Sequence, residues 1–173
     1  YFGQKFTKAF DIKFLNKENK WEYPYQTSWG VTTRMIGGLI MVHSDDYGLV
    51  LPPNIAPIKV NIIPIRETEE VLDVIKYFED GLKQNEITYS VDKSDKSPGF
   101  KFAEAEVNGI PVRIEVGERD LKEGKIVFTR RDTREKLTED IDINVVEYTK
   151  TLLDIIQHDM YERAKERRDS LTF

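Results

Sequence analysis

Residues 58–91, IKVNIIPIRETEEVLDVIKYFEDGLKQNEITYSV, decide the fold. Ile58–Ile65 is an almost unbroken apolar run, the pattern of a strand buried on both faces. Glu67–Gln84 changes to the helical period, with Val71, Val74, Ile75, Phe78 and Leu82 on one face and Glu67, Glu69 and Glu70 in the first turn, where they complement the helix dipole. Ile87–Val91 is strand-like again. A strand, a helix and a second strand make a crossover unit, so these two strands are expected to run parallel. Downstream, Ile110–Val116 and Lys125–Arg130 read as a third and a fourth strand, with Asn108-Gly109 turning into the third. Val145, Tyr148, Leu152, Ile156 and Met160 then recur at helical spacing in a helix from Val145 to about Arg168. Residues 58 to about 160 therefore predict a compact α/β domain. KSDKSP, Lys93–Pro98, is the piece least suited to regular structure.

Upstream, the prolines of LPPNIAP (Pro52, Pro53, Pro57) interrupt helix and strand alike and mark a domain boundary. Before them, Phe10–Leu15 and Trp21–Ser28 read as strands joined by the polar turn Asn16–Lys20. Val31–Val42 follows as a helix expected to be buried on most sides, since Met35, Ile36, Leu39, Ile40 and Val42 leave little polar surface. Gly37 and Gly38 lower its helix propensity by about 1 kcal/mol each. At its entrance stands TSWGVTTR, Thr27–Arg34, where one arginine beside glycine and small hydroxyls suits a planar or phosphorylated ligand held by a guanidinium fork.

At 173 residues, 39% of them hydrophobic, the chain is long enough for a substantial core. Cysteine is absent and His43 and His158 are the two histidines, which excludes a disulfide framework and leaves little for a zinc site. Asp45 and Asp46 beside His43 admit a divalent-ion reading, but a polar turn before Tyr47-Gly48 explains them better. His158 reads as a surface residue. No apolar run approaches the roughly 20 residues of a membrane span, and YFGQKFTKAF lacks the order of a signal peptide, so a cytoplasmic location is expected. The net charge of −5 is unevenly spread. Residues 119–136 carry seven basic side chains against four acidic ones, a patch that could meet phosphates or serve as a solvated hairpin face.

TSWGVTTRMIGGLIMVHSDDYGLVLPPNIAPIKV closely resembles the third signature motif of the class II aminoacyl-tRNA synthetases in its prolyl form, of the eukaryotic and archaeal type. YFGQKFTKAFDIKF resembles the segment before that motif. SPGFKFAEAEVNGIPVRIEVGERDL and VFTRRDTREKL resemble the anticodon-binding domain of the same enzymes. The resemblance implies three parts: residues 1–57 as the C-terminal part of an antiparallel-sheet catalytic domain, 58–160 as an α/β anticodon-binding domain with a mixed sheet and flanking helices, and 161–173 as a helical linker to a further domain. Ser44 departs from the glycine usual at its place.

The family's activity is activation of proline with ATP, assisted by Mg2+, followed by transfer to proline tRNA. Carried over residue by residue, Ser28, Trp29 and Gly30 match the strand lining the proline pocket, while Thr32 and Arg34 match contacts to ATP. Lys101 and Glu104 match the helix facing the anticodon, and Arg130, Arg131, Asp132 and Lys136 the strand end and loop facing the same RNA. Mixed charges suit guanine, which offers O6 and N7 to a cation and its Watson–Crick donors to a carboxylate. A purely structural pairing of Asp132 with Arg134 remains an alternative, as does Trp29 as a core residue. The family's first and second motifs are not in these residues, so the chain alone is expected not to activate proline and is assigned neither a catalytic residue nor a metal ligand. A homodimer is implied for the full-length enzyme. The rival reading is a noncatalytic RNA-binding or regulatory module derived from a synthetase.

Overall fold

In the computed structural model, which describes residues 1–172, the chain opens with a short helix, α1 (Lys5–Ala9). Strands β1 (Phe14–Leu15) and β2 (Trp21–Glu22) follow, antiparallel, with Phe14 opposite Glu22 and Leu15 opposite Trp21. Asn16 shapes the turn between them, its side-chain oxygen accepting from the N–H groups of Glu18 (2.8 Å) and Lys20 (2.9 Å). The hairpin expected over residues 10–28 is thus present but shorter, and α1 is an unexpected helix. Pairing stops at Glu22 because the next backbone groups serve α1: the carbonyl of Tyr23 accepts from Gln4 (2.6 Å) and that of Pro24 from the Thr7 hydroxyl (2.9 Å). Proline itself has no N–H for a ladder.

Helix α2 (Arg34–His43) comes next, and none of its residues is buried. The expectation of a helix enclosed on most sides is therefore corrected. Apolar periodicity sets which face a helix offers and says nothing of what covers it. The chain divides within this helix into two compact units, one Tyr1–Gly37 and the other from Gly38 onward.

The second unit is built on a five-stranded sheet. Its elements are β3 (Val60–Pro64), α3 (Glu69–Gln84), β4 (Tyr89–Val91), α4 (Pro98–Val107), β5 (Val112–Val116), α5 (Glu118–Lys122), β6 (Lys125–Arg130), β7 (Lys136–Asp140) and α6 (Val145–Ser170). The strand order is β4-β3-β5-β6-β7. β3 pairs parallel with β4 and β5, as the crossover pattern predicts, and β5–β6 and β6–β7 are antiparallel. β7 and α5 were not legible: β7 alternates exposed and half-buried positions at the sheet edge, and α5 is five residues long.

Val71, Ile75, Phe78 and Leu82 of α3 are fully buried, and Val74 packs at the rim of the same core. The Thr68 hydroxyl caps α3 by accepting from Val71 N–H (3.4 Å), and Asn144 caps α6 by accepting from Glu147 N–H (3.2 Å). α3 and α6 cover one sheet face, where Val60, Ile62, Val112, Ile114, Val116, Ile126 and Phe128 complete the core. Each of these side chains contributes about 1.5–3 kcal/mol by leaving water. α6 runs unbroken through the expected boundary at residue 160, with His158 exposed. Phe173, the end of the expected linker, lies outside the described residues.

The expected boundary at residue 57 is not where packing divides. Leu49 N–H donates to the Val107 carbonyl (3.1 Å) and Leu51 N–H to that of Gly109 (3.3 Å), so residues 49–51 lie along the α4–β5 turn. Two glycines permit the approach. A Cβ on Gly48 (φ +137°) would stand 2.4 Å from Val107 Cα, and one on Gly109 (φ +69°) 2.6 Å from Leu49 Cβ.

Candidate nucleic-acid interface

Because side chains alternate along a strand, the residues between the core valines of β5 point to the opposite sheet face. There Arg113 and Glu115 are both buried, and buried charges persist only when paired and hydrogen-bonded. Arg113 donates to Glu115 Oε1 (3.0 Å), to Glu106 Oε1 of α4 (3.3 Å) and to the Phe102 carbonyl (3.4 Å). Glu115 also accepts from the Thr129 hydroxyl (2.9 Å) and from Lys136 Nζ (3.0 Å). The Phe102 ring lies under this cluster, 4.4 Å from the Arg113 guanidinium carbon and 5.4 Å from Lys136 Nζ. Lys136 is exposed and brings the network to the surface.

A second cluster closes the end of β6. Arg130 grips Asp132 with a two-pronged fork (3.0 and 2.9 Å) and also bonds Asp159 (2.7 Å), while Arg163 reaches the same Asp132 (2.7 Å). The Asp132 side chain is 1% exposed. Burial pushes its pKa up, but the hydrogen bonds from Arg130 and Arg163 outweigh it and the net direction is down. Asp132 thus pairs inward, with Arg130 and Arg163 in place of Arg134.

Arg131, 3% exposed, donates to the Glu106 carbonyl (2.9 Å) and forks onto Asp45 (2.9 and 2.7 Å). That fork holds the Asp45 carboxyl down at about 2. Asp45 and Gly48 close a turn in which Asp45 Oδ1 accepts from Tyr47 N–H (2.9 Å), and the Arg134 guanidinium stacks 3.7 Å from the centre of the Tyr47 ring. The polar-turn reading of Asp45 and Asp46 fits this geometry. No group of three His, Cys, Asp or Glu side chains able to hold a metal occurs among the described residues.

The six sequence-predicted anticodon residues do not form one site. Arg130 pairs with Val112 at the start of β5, whereas Lys101 is tied to the loop after β4, at the opposite edge of the sheet. The polar atoms of Arg130, Arg131 and Asp132 are taken by internal partners. Lys101 is 4% exposed, with Nζ on the Asp92 carbonyl (2.9 Å), while Glu104 pairs with Lys96 (2.7 Å) at the surface. Glu104 and Lys136 remain facing solvent. Much of the basic patch over residues 119–136 is neutralised in the same way, Lys122 by Glu118 and Lys125 by Asp140. In the first unit Ser28, Trp29, Gly30, Thr32 and Arg34 are all exposed, Trp29 to 93%; it is no core tryptophan.

One feature escaped the sequence reading. The chain leaves β3 through α3 toward β4 on one side and leaves β5 through α5 toward β6 on the other. Neighbouring parallel strands whose connections part in this way open a crevice at their carboxyl ends, the usual ligand position in such sheets. A cavity of about 360 Å³ lies there, lined by Ile65, Arg66, Gly117, Glu118, Arg119 and Asp120. Among the described residues neither Arg66 nor Arg119 is held in an ion pair. The available signal was the charge that follows each buried strand, Arg66 after IIPI and Glu118-Arg119-Asp120 after VRIEVG.

Fold and surface together define a mixed-sheet α/β module whose charged groups gather on one sheet face and one crevice. The chain belongs to the anticodon binding domain family, whose model matches residues 59–152. Over nearly its whole length it is similar to proline–tRNA ligases: 49% identical over 173 residues to that of Lachnospira eligens, covering 99% of this chain and 36% of that protein. The corresponding figures for the proline–tRNA ligase of Bacteroides fragilis are 50% over 175 residues, 98% and 35%. Prolyl-tRNA synthetase from Cryptosporidium parvum, solved in complex with L-proline and AMP, superposes with a TM-score of 0.85 at 38% identity, over 97% of this chain and 37% of that one. The chain thus spans about a third of the length of the relatives it matches.

Proposed function

We propose that this chain supplies anticodon recognition, and one wall of the amino-acid and nucleotide pocket, to a proline–tRNA ligase. In that reaction the proline carboxylate attacks the α-phosphorus of ATP, pyrophosphate leaves, and a terminal ribose hydroxyl of proline tRNA then takes the prolyl group as AMP leaves. The observation that carries this reading is the similarity to proline–tRNA ligases across both units, first and second alike. Ser28, Trp29 and Gly30 stand on the proline side, and Thr32 and Arg34 on the nucleotide side. A guanidinium at the start of α2 is suited to the charge developing on the phosphates, and such catalysis needs positioning and neutralisation but no protein nucleophile. Mg2+ accompanies the nucleotide; its ligands are not assigned to this chain.

On the RNA side Glu104 and Lys136 face solvent. Lys101, Arg130, Arg131 and Asp132 serve by fixing the frame that presents them. The crevice adds Arg66, Arg119 and Asp120, a cation and carboxylate set that matches guanine's two edges. In this reading residues 1–57 belong to the catalytic domain, 58–160 to the anticodon domain and 161–173 to a linker, within a cytoplasmic homodimer. No helix among the described residues is long and apolar enough to cross a membrane.

Binding of labelled proline, threonine, histidine and glycine tRNAs to the 173-residue chain tests the assignment. Proline tRNA should bind best; equal affinities for all four refute it. The family-model match to an anticodon binding domain over residues 59–152 supports a second reading, a noncatalytic RNA-binding or regulatory module. Proline-dependent exchange of pyrophosphate into ATP separates the two once the chain is joined to the remaining length of its relatives. The ligase reading expects exchange in the joined protein and none in residues 1–173 alone.

A further inference from the structure

Behind the end of β6 a cavity of about 250 Å³ opens between α6 and the turn that follows α2. Met160, Arg163, Ala164 and Arg167 recur at i, i+3, i+4 and i+7, so one stripe of α6 makes one wall. His43, the last residue of α2, stands with Asp45 on the other, and Asp132 completes the lining. The floor is apolar, with Val50 5% and Met160 2% exposed.

The carboxylates here are already served. Asp132 accepts the two-pronged Arg130 as well as Arg163, and Asp45 is gripped by Arg131. With Asp159 on Arg130, three carboxylates meet the four guanidiniums of Arg130, Arg131, Arg163 and Arg167. The excess positive charge falls at the cavity. Arg163 gives one nitrogen to Asp132 (2.7 Å), and its side chain is 48% exposed with the other N–H groups free. Arg167 is exposed one turn further on, and among the described residues its guanidinium has no partner. The half-buried His43 ring makes no hydrogen bond among the described residues, and burial together with the Arg163 charge holds its pKa below the ordinary imidazole value. Like charges around one open space repel, and a shared anion turns that repulsion into attraction.

Chemistry narrows the anion. Two guanidiniums and an imidazole converging from separate elements suit the tetrahedral oxygens of a phosphate better than a flat carboxylate. The Asp45 side chain, 38% exposed, accepts hydrogen bonds only, so it can take the proton that free phosphate or a phosphate monoester carries near neutral pH. A phosphodiester of RNA has no such proton, and neither has sulfate. We propose that His43, Arg163 and Arg167 form a site for inorganic phosphate or a phosphate monoester. It lies apart from the crevice: Asp132 follows β6, whose Arg130 pairs with Val112 at the start of β5, whereas the crevice lies beyond the end of β5. The site does not draw on the tRNA reading.

NMR titration of the 173-residue chain reads it directly, because His43 and His158 are the two histidines and His158 is an exposed control. At pH 6.5 inorganic phosphate and methyl phosphate should move the His43 signals with dissociation constants of about 1 mM, while sulfate and dimethyl phosphate bind about fivefold more weakly or worse. Saturating phosphate should raise the His43 titration midpoint by about one pH unit and leave His158 in place. The charged groups facing His43 are Asp45 on its own turn, Asp132 after β6, and Arg163 and Arg167 on α6; with both carboxyls shifted downward, all four keep their charge through that titration. Arg167→Gln should weaken phosphate binding about tenfold at an unchanged thermal midpoint, since this side chain bonds nothing in the fold. Arg163→Gln should weaken it at least as much, with some loss of stability at Asp132. Equal binding of sulfate or dimethyl phosphate would mark a general cationic patch and overturn the site. So would a His43 response to phosphate that survives Arg167→Gln in full. Loss of phosphate binding once the chain is joined to the remaining length of its relatives would show the cavity filled by another segment and would overturn the site as well.

Discussion

Replacing Arg131 with alanine removes hydrogen bonds to the Glu106 carbonyl and to both oxygens of Asp45 in a single step. Each bond to a charged group is worth roughly 1.5–3 kcal/mol, but the sum overstates the loss. The Asp45 side chain is 38% exposed and regains water when its partner goes, so most of its Coulombic share is screened. What remains is the loss of one hydrogen bond at the Glu106 carbonyl, which keeps the Gly109 N–H (3.1 Å), at about 1 kcal/mol, together with the space vacated by a nearly buried side chain. The expected destabilisation is about 2–3 kcal/mol, or about 5–10 °C in thermal midpoint for a unit of this size. Urea and thermal unfolding followed by circular dichroism measure it. A cycle with Asp45→Asn should return a coupling of about 1 kcal/mol or more. Proline tRNA affinity, measured well below the transition, should change less than threefold. A wild-type midpoint in Arg131→Ala combined with a tenfold loss of RNA affinity would show that the guanidinium serves the RNA and would refute the assignment.

Gly109→Ala should destabilise by about 1–3 kcal/mol, since φ is +69° and the new Cβ would sit 2.6 Å from Leu49; Gly99→Ala, with no atom within 4 Å, should be neutral or stabilising by up to about 1 kcal/mol. The Thr149 hydroxyl is fully buried without a partner, so Thr149→Val should raise stability by about 1 kcal/mol in urea titrations. For the Asp45–Arg131 pair, the carboxyl's pKa is lowered from 3.8 to about 2, so its stabilisation is complete above about pH 4 and is lost as pH falls through 2. Acid titration of unfolding should therefore lose less stability over that window in Asp45→Asn than in the wild type, and parallel curves would count against the pair.

Periodicity carried the reading of the second unit because its elements bury what they display. The run IKVNIIPI became a central strand, the α3 face of Val71, Ile75, Phe78 and Leu82 became core, and the strand–helix–strand order was enough for parallel pairing. It failed for α2, whose apolar positions describe a face without describing its cover. Short elements failed for a related reason: α5 and β7 hold few residues, and their placement comes from neighbours more than from propensity.

Charged residues divide along the same line. Their presence near a strand end is legible, and so is a local excess of arginine and lysine. Whether a guanidinium meets solvent or an internal carboxylate depends on residues far away in sequence: Asp45 for Arg131, Asp159 for Arg130. The sequence by itself determined the α/β architecture and the kinship with prolyl-tRNA synthetases, because these rest on periods and motifs confined to short stretches. Only the tertiary structure decided that Arg130, Arg131 and Asp132 look inward while Arg167 looks outward, and that a crevice opens between β3 and β5. Burial and pairing are properties of where distant segments meet, and no local pattern encodes them.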